Sequence, residues 1–154
     1  MIEINTFYNE NCLDTMKTHE GLLGGSGILT NGTKYNPHQK VGWNGIQSDA
    51  PIEVDLVGHA WFFKQEWIRH FWSEPPVSWD NGEDIQLSYL SQKYGNINTY
   101  VPPHSENDKS VWGTKGEQGV KYGSDENANW LTVSNHTPIR NELCVKFLKD
   151  GWKL

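Results

Sequence analysis

Between Ile52 and Trp72 the apolar pattern changes period without a break. The stretch "IEVDLVGHAWFF" is dominated by β-branched and aromatic residues and predicts a strand. "KQEWIRHFW" follows at once and puts Trp67, Ile68, Phe71 and Trp72 on one helical face. Pro75 and Pro76 stop that helix. A chain that runs from strand into helix this abruptly is confined to folds that lay helices on a sheet. The same alternation recurs along the sequence, so the fold class is α/β or α+β.

The flanking segments fit that class. "ENCLDTMKTHE" (residues 10–20) predicts a short helix. "GLLGGSGILTNG" reads as a strand and a tight turn around Leu22, Leu23, Ile28 and Leu29. It lacks both Gly-Lys-Ser/Thr and the G-x-G-x-x-G spacing, so it is not read as a phosphate loop. "TKYNPHQKVGWNGIQSDAP" is punctuated by Pro, Asn and Gly and predicts a long loop, a type more often functional than idle. In "SWDNGEDIQLSYLSQKYG", Asp80-x-x-Glu83 resembles a capping box, Ile85 to Tyr94 continues as a helix, and Gly95 sits where a C′ glycine belongs. "NINTYVPPH" predicts a strand with Ile97, Thr99 and Val101 on one face, ended by Pro102 and Pro103. Residues 105–130 are polar and glycine-rich and predict a long loop. A closing helix carries Ile139, Leu143 and Phe147 at every fourth position and ends at Gly151. At 154 residues the chain is read as a single domain, 1–154.

Bulk properties exclude several classes. The net charge is -6 and no Lys/Arg block occurs, so a nucleic-acid partner is not expected. Mean hydropathy is -0.69, and no apolar run approaches the ~20 residues of a membrane span. No signal-peptide pattern opens the chain. Cys12 and Cys144 lack a pairing or metal spacing and read as ordinary thiols of a reducing, cytoplasmic compartment. Eight Trp, six Tyr and five Phe supply core burial, and such rings also line sites for carbohydrates and planar ligands.

Three constellations could carry chemistry. Glu83 and Asp84 open a helix, where free N–H groups and the macrodipole favour carboxylates by about 0.3–1 kcal/mol each. Capping alone accounts for them. Alternatively, one carboxylate beside Trp79 takes a proton from a substrate hydroxyl as general base. His104, after Pro102-Pro103, is either a hydrogen-bonding residue or a ligand for a divalent ion shared with oxygen donors, and Trp112 could close over it. Asp55 and His59, four apart on a strand, share a face. They form a buried polar pair or line a polar groove. No H-E-x-x-H or C-x-x-C occurs, which argues against a zinc enzyme.

"VDLVGHAWFFKQEW", "NGEDIQLSYLSQKYGNINTYVPPH", a later "WG" and a closing helix ending in "GW" together resemble the acceptor-side, C-terminal half of family-two-like GT-A glycosyltransferases. The likeness spans roughly Asn9 to Trp152, and Val54 to His104 is its most specific part. It implies a partial GT-A, Rossmann-like α/β fold, with a mixed sheet and flanking helices. It implies transfer of a sugar from a nucleotide-diphosphate donor to a glycan or other hydroxyl acceptor, assisted by Mn²⁺ or Mg²⁺. Carried over by position, Asp84 matches the general base and Glu83 its acceptor-contacting neighbour. Trp79 matches part of an acceptor platform, and His104 the late metal ligand. The family's D-x-D motif does not occur before residue 20, so the donor-binding half is expected to be missing or supplied by another chain. The sheet would then have an open edge and a tendency to oligomerise. Loss of the donor half also leaves open a carbohydrate-binding or scaffold module without transfer activity. A glycoside hydrolase needs two carboxylates flanking the scissile bond, which adjacent Glu83 and Asp84 do not provide without a distant partner.

Overall fold

The structure, a computed structural model, describes residues 6–112 and 128–154. The order of elements is α1 (Thr6–Thr18), β1 (Gly21–Leu23), β2 (Ser26–Thr30), β3 (His38–Gly42), β4 (Ile52–Val54) and β5 (Leu56–Gly58), then α2 (Ile68–Phe71) and α3 (Glu83–Gly95). β6 (Asn98–Val101), a single turn α4 (Asn129–Thr132) and the closing helix α5 (His136–Lys149) complete it. The class is mixed α/β, as the alternation implied.

The described strands form two small sheets. In the first, β6 is central, parallel to β1 and antiparallel to β4, with Thr99 opposite both Leu22 and Val54. In the second, β2 is central and antiparallel to both β3 and β5, with Ile28 opposite Lys40 and Leu56. The sheets meet where β2 crosses β4 and β6. A Cβ at Gly27 would stand 2.6 Å from Val101 Cγ2 and 2.8 Å from both Val54 methyls, so only glycine allows that approach.

α3 organises the interior. Its residues Ile85 to Ser91 are buried without interruption, so this helix is enclosed on all sides rather than amphipathic. Ile85, Tyr89 and Leu90 pack with Leu143, Phe147 and Trp152 of the C-terminal segment. Leu87 packs with Leu22, Val54 and Val101 of the first sheet. Two of the buried polar residues of α3 find partners in the core, whereas Ser91 Oγ is buried without one. Ser88 Oγ donates to Asp84 O at 2.8 Å, and Gln86 Oε1 accepts from Val77 N at 3.1 Å.

Several local expectations are corrected. "IEVDLVGHAWFF" is not one strand. The chain leaves the first sheet after Val54 and enters the second at Leu56, with Asp55 at the corner. The long loop expected before it contains β3. In "KQEWIRHFW" a tight 3₁₀ turn, Gln65–Trp67, precedes one turn of α-helix, so the 3.6-residue period is never established. Trp67 is buried, but Ile68 and Trp72 are 43% and 62% exposed. The capping box does not form. The N-cap of α3 is Gly82 at φ 96°, and the Asp80 N–H is bound by Ser78 Oγ at 3.2 Å. At the other end Asn96, at φ 51°, takes the left-handed position assigned to Gly95, which is still helical. Asparagine tolerates that conformation because its amide bonds locally.

β1 is less bare than an interrupted sheet implies. All three of its residues are buried, and Leu23 forms an antiparallel bridge with Phe62. Among the described residues no helix is long and apolar enough to cross a membrane. Most of the polar stretch 105–130, including its WG glycine, lies outside the described residues.

Candidate functional site

The start of α3 faces the closing helix across the end of β5. Gly82 turns the chain sharply, and Glu83 and Asp84 form the first helical turn. Glu83 is exposed, whereas the Asp84 side chain is only 14% exposed. Its Oδ2 accepts from Arg140 Nη2 at 2.6 Å, and its Oδ1 accepts from Ile85 N at 2.8 Å. Arg140 Nη1 donates to Asn81 Oδ1 at 3.1 Å, and Asn81 Nδ2 donates to His136 O at 3.0 Å. The Arg140 guanidinium lies 4.3 Å from the Tyr35 ring centre, a cation–π stack. Gly58 ends β5 beside this group, and a Cβ there would stand 3.7 Å from Asp84 Oδ2.

The electrostatics follow from burial and pairing. Burial alone would lower the Arg140 pKa, but attraction to Asp84 outweighs it and raises the value. Burial raises the Tyr35 phenol, against the pull of Arg140. His136 is lowered by burial and by the Arg140 charge. Cys144, one turn after Arg140, is pushed up to about 12 by burial, and Cys12 in α1 to about 11. Both thiols are buried and free, so neither is a poised nucleophile.

A second group gathers where the chain leaves β5 and β6. His104 is 1% exposed, and its Nδ1 donates to Pro102 O at 2.8 Å. Its ring centre lies 5.6 Å from that of Trp112. Trp112 is itself buried, and its indole N–H donates to Ser105 O at 2.9 Å. His59 stacks on Trp43 at 5.0 Å. His59 and Ala60 are consecutive non-glycine residues at φ 55° and 58°. Each such residue costs on the order of 1–3 kcal/mol, and such strain clusters at functional turns. Hydrogen bonds hold this one: His59 O accepts from Gly25 N at 2.6 Å, and Ala60 O from Tyr8 Oη at 2.8 Å.

The predicted residues therefore divide. Asp84 lies in the Arg140 cluster, while His59, His104 and Trp112 form the second group. Asp55 and His59 do not share a strand face. Asp55 turns the corner between sheets, where its carboxylate accepts from Thr30 N. Trp79 is 81% exposed on the loop before α3. Among the described residues no three of His, Cys, Asp and Glu converge as a metal set.

Arg140 and Tyr35 were not anticipated. Arg140 carries a legible signal, because it precedes Leu143, Cys144 and Phe147 by three, four and seven positions and so occupies a core row of α5. A charged residue in a core row needs a buried partner. No protein-family model matches the chain, and no curated protein or solved structure was found to be similar to it.

Proposed function

We propose that the chain is the acceptor-side half of a nucleotide-sugar-dependent glycosyltransferase, with Asp84 as the general base. The observation that supports this reading best is the setting of Asp84. Its carboxylate is gripped from one side by Arg140 and Ile85 N, yet it keeps some exposure beside side-chain-free Gly58. A hydroxyl reaching that edge meets a carboxylate of fixed orientation, as general-base catalysis requires. In the proposed step Asp84 takes the acceptor hydroxyl proton, the oxygen attacks the sugar's anomeric carbon, and the nucleotide diphosphate leaves. Glu83 and Trp79 contact the acceptor. His104 would hold a divalent ion, which would stabilise the charge of the leaving diphosphate.

The test is transfer from a panel of nucleotide sugars, with and without Mn²⁺, to a set of glycan acceptors. Asp84→Asn keeps an acceptor atom for Arg140, so the variant folds with a lowered unfolding midpoint. Its transfer rate falls by about 10²–10⁴-fold, the usual worth of a general base. Turnover within tenfold of the parent sinks the assignment.

One observation favours a binding module instead: an indole that is 81% exposed on a loop fixed at both ends. Calorimetric titration separates the two readings. Affinity for glycans without any for nucleotide diphosphates favours the module.

A further inference from the structure

We infer that the cleft between the 77–80 loop and α5 binds an oligosaccharide of two or more rings, beyond the residue that meets the reacting hydroxyl. The inference rests on the glycan-handling reading above, but not on catalysis.

The cleft measures about 370 Å³ and is lined by Val77, Ser78 and Asp80 on one wall and by Ile139, Glu142 and Lys146 on the other. Leu143 forms part of its floor and also touches Gly82, two residues before Asp84. A second, more open surface of about 420 Å³, formed by α5 alone, runs on to Lys149 and Asp150 and shares Glu142 and Lys146 with the cleft. Each lies in the size range of ligand sites, roughly 300–1,000 Å³. An elongated ligand that starts in the cleft can run on along this helix surface, which a single compact ring cannot.

The chemistry of the walls suits a sugar chain. Asp80 and Glu142 offer carboxylate acceptors, Lys146 an ammonium donor and Ser78 a hydroxyl, next to apolar Val77 and Ile139. Sugars present the same mixture of hydroxyl edges and C–H faces. Trp79 lies between two lining residues, and its exposed indole is a flat surface on which a sugar face can stack.

The loop is also built in advance. Buried Gln86 accepts from Val77 N at 3.1 Å and donates to Phe71 O at 3.5 Å, which fixes the loop's entry. Asn81, tied to His136 O and Arg140, fixes its exit. An isolated exposed tryptophan needs no explanation. One on a loop whose neighbouring residues line a cleft, and whose two ends are tied by buried polar anchors, has already met part of the ordering cost that a flexible loop meets on binding.

The experiment uses the full chain on an array of immobilised oligosaccharides of two to six units, followed by amide chemical-shift mapping with the strongest binder and its component monosaccharide. The expected result is binding that shifts the amides of residues 77–80 and 139–149, with the monosaccharide at least tenfold weaker. Trp79→Ala and Glu142→Gln, both surface changes checked for folding by circular dichroism, each weaken binding at least fivefold. Lys17→Ala, on α1 and outside the lining of the cleft, leaves it within twofold. No binder on the array, shifts confined elsewhere, or unchanged affinity in Trp79→Ala overturns the inference. Loss of transfer in Asp84→Asn without cleft binding retains the transferase and removes the cleft. Cleft binding with transfer intact in Asp84→Asn does the reverse.

Discussion

His104 shows how one atom can set a pH response. Pro102 O can only accept, so the Nδ1 of His104 carries the proton and Nε2 is left with a lone pair. That Nε2 is buried without a hydrogen-bond partner. Burial, and then the nearby His59 charge, lower the pKa below the ordinary 6.5, while the Pro102 bond raises it only in part. The unfolded chain therefore binds a proton at a higher pH than the folded chain does. Stability from this residue is complete above the unfolded pKa and declines as pH falls through the folded one. His136, lowered by burial and Arg140, adds to the same trend. The unfolding midpoint is expected to drop on acidification from about pH 7 to pH 5, and His104→Asn, which can still donate to Pro102 O, flattens the drop. An equal slope in the variant rejects His104 as the source.

At the scale of elements, the hinge of the candidate site is the N-terminus of α3. Gly82 combines φ 96° with a packing limit, because a Cβ there would stand 2.1 Å from Leu143 Cδ1. Gly82→Ala thus meets backbone strain and overpacking together, and is expected to cost about 2–4 kcal/mol in a denaturant melt. A cost under 1 kcal/mol would mean that the turn relaxes freely. The same turn explains what the sequence could and could not reveal. The helix from Glu83 and the closing helix were legible because their apolar residues recur at helical spacing and breakers bound them. Asp84 was legible as a carboxylate at a helix start. The capping box was misread because Asp80-x-x-Glu83 has the right letters, while a left-handed Gly82 between them redirects the chain. The break at Asp55 was invisible because Val54 and Leu56 both suit a strand, and only tertiary pairing assigns them to different sheets. Arg140 shows the remaining gap: its core row could be read, but its partner, 56 residues earlier, could not.

At the scale of the molecule, α3 makes one body of two hydrophobic clusters. Ile85, Tyr89 and Leu90 bind it to α5 and Trp152, while Leu87 binds it to the first sheet, so neither cluster is complete without the helix. Phe147 and Leu22 lie on opposite sides of it, each 1% exposed. Phe147→Ala should cost about 3–5 kcal/mol and Leu22→Ala about 2–5 kcal/mol, the usual range for emptied core positions. If α3 couples the clusters, each variant still melts in one transition, with aromatic and backbone circular dichroism coinciding. Coupling of this kind also matters for the candidate site, because Asp84 sits on α3 and Arg140 on α5. Their 2.6 Å contact survives only while the first cluster holds the helices together. Separate transitions for the two probes in Phe147→Ala would show that α5 detaches alone. The Asp84 carboxylate would then lose its partner before the sheets unfold.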